Sequence, residues 1–327
     1  MIDTPATCDA RIDPLEAAMQ EVDATIRQRL SSRVALIDQI SHYIIGAGGK
    51  RIRPRLVLLF AQAFGFEGRE RYELAAIVEF IHTATLLHDD VVDESSMRRG
   101  RQTANAMFGN AASVLVGDFL YSRAFQIMVG AGSMRVMQVL ADATNVIAEG
   151  EVLQLMNCRN ADIGIDAYLQ VIRYKTAKLF EAAGRLGAIL GEANPEIETA
   201  LADYGMHLGT AFQLIDDVLD YSGQEAETGK HLGDDLAEGK PTLPLIHAIH
   251  HGTPEQAALV RAAIETASSD RFAEVLVAVR SCGALDAARR HGLAEAAKAK
   301  AALAPLPESK FRETLIQLAD FAVQRSF

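Results

Sequence analysis

The stretch "LLHDDVVDES", residues 86–95, closes an apolar run and then crowds Asp89, Asp90, Asp93 and Glu94 together. Like charges one turn apart on a helix repel, each pair costing roughly 0.2–0.5 kcal/mol, so some other interaction has to favour the arrangement. Asp89 and Asp93 stand four residues apart, on one helical face, where their oxygens can meet a hard divalent cation. The pattern returns as "LIDDVLDYS", residues 214–222, with Asp216, Asp217 and Asp220 at the same spacing. Each copy ends a long stretch of helical apolar periodicity, over 71–93 and 196–222, and each precedes a polar loop, 93–105 or 222–244. A single acidic pentad is most simply a solvated helix end. Two copies, both ending apolar helices, point to one shared task.

Outward from these segments the same period dominates. Asp13-Pro14 reads as a helix cap and first helical residue, followed by a stripe of Leu15, Met19, Val22, Ile26 and Leu30. Gly46, Gly48 and Gly49 interrupt the next helix. Further helices are expected over 54–65, 110–130, 133–158, 165–191, 254–268, 284–303 and 308–325. Alternating β-branched runs are nearly absent, so the fold class is all-α, a single large bundle of long helices. The 327 residues are 49% hydrophobic, enough for one large domain over 1–327, with a disordered stretch expected at 1–12.

A net charge of −11 argues against general nucleic-acid binding. Cys8, Cys158 and Cys282 form neither a disulfide framework nor a metal pattern, which suits a reducing compartment. The N-terminus carries early acids and no apolar segment, unlike a signal or transit peptide. No apolar run approaches the length of a membrane span. A cytoplasmic protein is expected.

Basic groups accompany the acidic ones. "GAGGKRIRPRL" (46–56) joins flexible glycines to Lys50, Arg51, Arg53 and Arg55. "MRRGR" (97–101) follows the first acidic segment, Lys175 adjoins Thr176, and Lys230 and Lys240 lie in the long loop after the second. Mg²⁺ prefers one or two carboxylates together with waters and substrate phosphates. Two acidic pairs could thus hold several Mg²⁺ ions around a diphosphate, and the cations could receive a second phosphate-bearing substrate. Arg51, Arg55, Arg101 and Lys178 read as solvated surface charge, as do His247, His250 and His251 as surface helix residues.

Taken together, "GGKRIRP", "HDDVVDESSMRRG", "KT" at 175–176, "FQLIDDVLD" and "GKPTLP" resemble the trans-isoprenyl diphosphate synthases, or polyprenyl synthetases, in order and spacing from about residue 40 onward. "IHTATLLHDDVVDES" is most similar to the long-chain branch. The resemblance implies helices around a central apolar cavity, a homodimer, and head-to-tail condensation of isopentenyl diphosphate onto an allylic diphosphate such as farnesyl diphosphate. The octaprenyl-type product would serve quinone side chains, with only transient membrane contact on release.

It further implies Asp89, Asp93 and Asp216 as Mg²⁺ ligands, with Asp90, Asp217 and Asp220 as further ligands or supports. Arg98, Lys175, Gln213, Lys230 and Lys240 would hold the allylic diphosphate. Lys50, Arg53, His82 and Arg99 would hold the isopentenyl diphosphate, and Thr176 and Gln213 would stand near the developing carbocation. Ala84 and Thr85, small residues below Asp89, would leave the way open to a tunnel lined by Ile81 and Phe80, with Phe125 or Met128 as its floor. The family's short-chain members often end in a basic tail; here the end is "AVQRSF", and Arg325 receives no role.

Competing readings are a shorter-chain synthase, a non-catalytic subunit of a heteromeric synthase, a terpene cyclase and a structural helical scaffold. Both aspartate segments are intact, against a non-catalytic subunit, and "GGKRIRP" with "IDDVLD" counts against a cyclase.

Overall fold

The computed structural model describes residues 14–46, 48–222 and 232–325. The Asp13 cap, the stretch 1–12 and Lys230 lie outside these described residues. In chain order the elements begin with α1 (Pro14–Leu30), α2 (Ala35–Gly46), α3 (Ile52–Ala63) and α4 (Glu70–Val92). Strands β1 (Met97–Arg98) and β2 (Arg101–Gln102) follow, then α5 (Ala104–Phe108), α6 (Asn110–Gly130), α7 (Met134–Asn157) and α8 (Ile165–Ile172). A π-turn (Arg173–Ala177) leads into α9 (Lys178–Leu190) and α10 (Pro195–Ser222). The rest comprises α11 (Asp234–Ala237), α12 (Leu243–His251), α13 (Pro254–Thr266), α14 (Phe272–Ser281), α15 (Ala284–Ala302) and α16 (Lys310–Gln324).

Local chemistry starts the helices where the period begins. Ser133 accepts a hydrogen bond from the Val136 amide ahead of α7, and Asn194 accepts one from the Ile197 amide ahead of α10. Thr253 and Gln256 form a reciprocal capping box before α13, with Pro254 as first helical residue. In α1 the stripe Met19, Val22, Ile26 and Leu30 is buried; each such side chain taken from water contributes roughly 1.5–3 kcal/mol. Residues 74–81 of α4 are all buried, including Glu79, so this helix runs through the core rather than over it.

Helix α4 packs against α3 and α6, and α10 packs against α9 and α15. The crossing of α9 with α10 is close enough that a Cβ on Gly205 would sit 2.3 Å from the Phe180 carbonyl oxygen. At the far edge, Tyr204 of α10 donates to the Leu315 carbonyl at 2.7 Å, tying α16 to the core. The π-turn touches α7, α9 and α10. Thus the C-terminal ends of the two acidic helices look onto one space, bounded by α7 and the π-turn.

The segment 93–105, expected as a loop, contains the antiparallel hairpin β1–β2, with Arg98 opposite Arg101. Its turn residues Arg99 and Gly100 both have positive φ, 53° and 72°, the backbone twist that suits a tight two-residue hairpin. The helix over 165–191 is interrupted by the π-turn. Helices α5, α11 and α14 arise outside the stretches of expected helix, and α12 carries His247, His250 and His251, expected on a helix.

Candidate active site

The C-terminal half of α4 turns one face to a cavity of about 650 Å³, through His82, Thr85, Leu86, Asp89 and Asp93. Across it stand Phe212, Gln213, Asp216, Asp217 and Asp220 of α10, so the two acidic segments line the same space. The aspartates of the two repeated segments do not behave alike. Asp90 is fully buried, and its Oδ1 accepts from Arg98 Nε and Nη2, both at 2.7 Å. Asp217 is buried too, and its two oxygens accept from Tyr168 at 2.5 Å and from Gln213 at 2.8 Å. Asp89 and Asp93 instead meet lysines at the cavity: Lys175 lies 3.5 Å from Asp89, and Lys240 lies 2.8 Å from Asp93. Asp220 accepts from the Asp235 amide at 3.3 Å.

Lys175 owes its position to the π-turn. The wide turn sets Lys175 and Thr176 side by side on the cavity wall; such turns recur at functional sites because they break helical register locally. Gly150 on α7 makes room for it. A Cβ there would lie 2.6 Å from the Lys175 amide nitrogen and 2.8 Å from Tyr174 Cβ. Gly150→Ala is therefore expected to lower stability by about 1–3 kcal/mol through overpacking, and to lower kcat by displacing Lys175. Thermal melts with steady-state kinetics check this; unchanged values for both would show that the π-turn yields freely.

Next along α7, Glu151 pairs with Lys175 at 2.6 Å. Burial raises its carboxyl to about 7, with Lys175 opposing and Asp89 adding to the rise. Lys175 is pulled down by burial, but Asp89 and Glu151 more than offset this and its pKa is raised. Lys240 is raised likewise by Glu238 and Asp93 against its own burial. Both ammonium groups therefore stay charged between carboxylates.

The opposite wall is cationic. Lys50, Arg51, Arg53, Arg98 and Arg99 line it with His82. Burial lowers Lys50, with Arg325 adding to the effect. Burial brings Arg53 down to about 10, although Glu79 and Asp216 oppose this. His82 falls well below its ordinary value through burial, then through Arg53 and Arg99, so it stands there as a neutral imidazole. Burial is the main cause in all three; neighbouring cations add to it at Lys50 and His82, and an anion bound there would offset their share. Arg53 stacks on Phe180 at 4.4 Å and Lys50 lies 5.7 Å from the centre of Phe212. Arg99 donates to the Gly48 carbonyl. Arg51 and Arg99, at φ 48° and 53°, hold left-handed conformations that non-glycine residues rarely adopt.

The structure brings Lys50, Arg53, His82, Thr85, Asp89, Asp93, Arg98, Arg99, Lys175, Thr176, Gln213, Asp216, Asp217, Asp220 and Lys240 to one cavity. Ala84, Ile81 and Phe80 are not on its wall; all three are fully buried in the core. Ala84 lies five residues from Asp89, about 140° round the helix axis, on the face of Leu87 and His88. That face meets α6, where Ser113 donates to the Leu87 carbonyl at 3.0 Å. Phe125 is exposed rather than a floor, and Met128 is buried in the core. Arg51 is a second correction: it is half-buried and pairs with the buried Glu79 at 2.5 Å, not with solvent. Arg101, His250 and His251 are exposed as expected, whereas Arg55, Lys178 and His247 are half-buried, Arg55 pairing with Glu16 and Lys178 with Glu181, both at 2.6 Å.

Glu151, Glu238, Tyr168 and Arg325 were missed. Arg325, at the end of α16, donates to Asp216 at 2.6 Å and to the Phe212 carbonyl at 2.8 Å, over the Phe212 ring. Its signal was present, a single cation at the end of an apolar helix. Glu151 follows a helical glycine, a weaker sign, and Tyr168 reads as an ordinary core aromatic.

The Polyprenyl synthetase family model matches residues 34–279. The chain is 58% identical to octaprenyl diphosphate synthase of Escherichia coli (strain K12) over 308 residues, covering 94% of this chain and 95% of that protein. It is 45% identical to all-trans-nonaprenyl-diphosphate synthase (geranyl-diphosphate specific) of Rhodobacter capsulatus, covering 95% and 96%. Among solved structures, a polyprenyl synthase from Caulobacter crescentus CB15 complexed with calcium and isoprenyl diphosphate superposes with a TM-score of 0.93, at 47% identity and with 95% and 96% of the two chains covered. With both acidic segments facing one cavity and relatives alike over nearly their whole length, this chain belongs to the polyprenyl synthetase family.

Proposed function

We propose that the protein is a long-chain polyprenyl diphosphate synthase, a prenyltransferase that joins isopentenyl diphosphate head to tail onto an allylic diphosphate such as farnesyl diphosphate. The observation that carries this reading is the division of one cavity into an acidic end and a cationic end. An acidic end alone would suit a cyclase; the cationic wall of Lys50, Arg53 and Arg99 supplies a second anion site. The identity to octaprenyl diphosphate synthases favours the long-chain product over the shorter-chain alternative.

Among the described residues no three His, Cys, Asp or Glu side chains converge into a ready metal cage. That suits Mg²⁺, which completes its octahedron with waters and phosphate oxygens. Asp89, Asp93 and Asp216 are the fitting ligands, with Asp220 beside them. Of the two roles open to Asp90 and Asp217, support suits them better, since Asp90 Oδ1 already accepts from Arg98 and both oxygens of Asp217 accept from Tyr168 and Gln213. Bound Mg²⁺ would neutralise the diphosphate as it departs.

Lys175, Lys240 and Arg98 stand at the allylic diphosphate and stabilise the charge it gains as its C–O bond breaks. Lys230 is assigned to the same diphosphate by the resemblance alone. Lys50, Arg53, His82 and Arg99 hold the isopentenyl diphosphate so that its double bond faces the allylic carbon. Thr176 and Gln213 flank that carbon. The new C–C bond uses the isopentenyl π electrons, and the proton then lost goes to the departed diphosphate. Among the described residues no helix is long and apolar enough to cross a membrane. A cytoplasmic enzyme that touches the membrane only to release its product, destined for quinone side chains, is consistent with this. Leu115 and Val129 of α6 and Val152, Leu155 and Met156 of α7 are exposed apolar side chains, which pairing two copies as a homodimer would cover. The whole chain acts as one domain.

The test is an assay of purified protein with Mg²⁺, farnesyl diphosphate and labelled isopentenyl diphosphate, with products resolved by length. Products of about octaprenyl length are expected. Short products only, a cyclised hydrocarbon or no condensation would overturn the reading.

A further inference from the structure

Four side chains of the cavity wall form a directed hydrogen-bond chain. Thr176 Oγ1 donates to Gln213 Oε1 at 3.0 Å, and Gln213 Nε2 donates to Asp217 Oδ1 at 2.8 Å. From the other side Tyr168 donates to Asp217 Oδ2 at 2.5 Å. Tyr168 and Asp217 are both buried. Each carboxylate oxygen of Asp217 receives a donor, so Asp217 acts as an acceptor on both sides and the chain can run in one direction only. An amide can be turned end for end at little local cost, and only its partners decide which end faces which way. Here Asp217 claims the Nε2 end of Gln213. The Oε1 end is left on the Thr176 side, at the cavity. Because Thr176 spends its one hydrogen on that oxygen, its remaining lone pairs are free to face the cavity as well.

We infer that the buried Tyr168–Asp217 pair sets the polarity of this chain, so that oxygens rather than hydrogens of Thr176 and Gln213 face the reacting allylic carbon. Tyr168 is then a positioning residue, and Asp217 is an anchor for Gln213 rather than a metal ligand. The inference rests on the synthase reading above. It matters because that carbon becomes positive: two oxygens aimed at it lower the barrier, whereas an N–H dipole aimed at it raises the barrier. The tyrosine hydroxyl contributes by holding the second oxygen of Asp217. Without it, that buried oxygen loses its donor and the carboxyl can rotate, which would let Gln213 turn.

Tyr168→Phe removes one hydroxyl and keeps the ring. It is expected to lower kcat by about tenfold, the usual scale for a supporting hydrogen bond, with KM for both diphosphates and the Mg²⁺ concentration for half-maximal rate unchanged. The melting temperature is expected to stay within a few degrees. On a Gln213→Ala background the same change should add nothing further, since the group it orients is gone. Asp217→Asn should resemble Tyr168→Phe in leaving the Mg²⁺ requirement where it was. A Tyr168→Phe enzyme with full kcat, an effect that persists on the Gln213→Ala background, or a raised Mg²⁺ requirement in Asp217→Asn would each overturn the inference. Failure of the unaltered protein to condense the two diphosphates would instead overturn the synthase reading.

Discussion

Asp89→Ala and Asp216→Ala are each expected to lower kcat by about 10²–10³-fold, the scale at which loss of one charge-stabilising group in a reaction centre is felt. Neither should unfold the protein. Asp89 sits at the cavity, and its partner Lys175 keeps Glu151 at 2.6 Å when Asp89 is gone. Asp216 is part-exposed, and Arg325 retains its two carbonyl partners and its stack on Phe212. The two adjacent aspartates behave differently. Asp90→Ala strips the half-buried Arg98 of the fully buried carboxylate it pairs with, and leaving one member of a buried pair alone costs about 3–5 kcal/mol. The pair of measurements separates the roles: Asp89→Ala keeps its melting temperature and loses its rate, whereas Asp90→Ala loses several degrees. Chelation of the unaltered enzyme should abolish turnover, and added Mg²⁺ should restore it. Near-normal turnover in the Asp89→Ala, Asp216→Ala double variant would sink the metal assignment altogether.

That contrast shows how far a sequence can be read. Repetition of the acidic segment was enough to find the cavity, because two long apolar helices seldom end in the same costly pattern unless one task requires both. It could not say which aspartate of each pair points inward. In α4 the choice is made by Arg98 on a hairpin that begins four residues beyond Asp93, and in α10 by Tyr168 from another helix. Helix bounds were legible from periodicity within a few residues over 71–93, 133–158 and 196–222, since burial follows the 3.6-residue repeat. The π-turn was not legible. Arg173–Ala177 holds no proline, glycine or cap, and its wide turn depends on the space left by Gly150 across the contact. The burial of Arg51 is hidden for the same reason: its partner Glu79 lies in another helix, at a position whose burial an isolated glutamate does not advertise.

Thr85→Phe is expected to change the product from long to short while sparing the first condensation. Thr85 lines the cavity one turn below Asp89, about 6 Å along the helix at 1.5 Å per residue. A growing tail must pass that level after its diphosphate is seated. Each added unit carries five carbons, and at ~0.8 kcal/mol per buried CH₂-sized group its burial is worth at most about 4 kcal/mol. A phenyl ring in the lane denies that gain to later units. Losing even ~1.4 kcal/mol disfavours each further step about tenfold, and the penalty compounds over successive condensations, so the distribution collapses to the first few products. Thr85→Ala should keep the long product, which rules out loss of the Thr85–His82 carbonyl hydrogen bond as the cause. Ala84→Phe makes a different demand. Ala84 is fully buried on the face that meets α6, so the ring must first force the two helices apart, at about 1–3 kcal/mol of overpacking. Its melting temperature should fall, and its product should shorten only as far as the displaced ring reaches the lane. Products of unaltered length from Thr85→Phe, separated by chromatography beside those of the parent enzyme, would mean that the tail leaves the cavity on another side of α4.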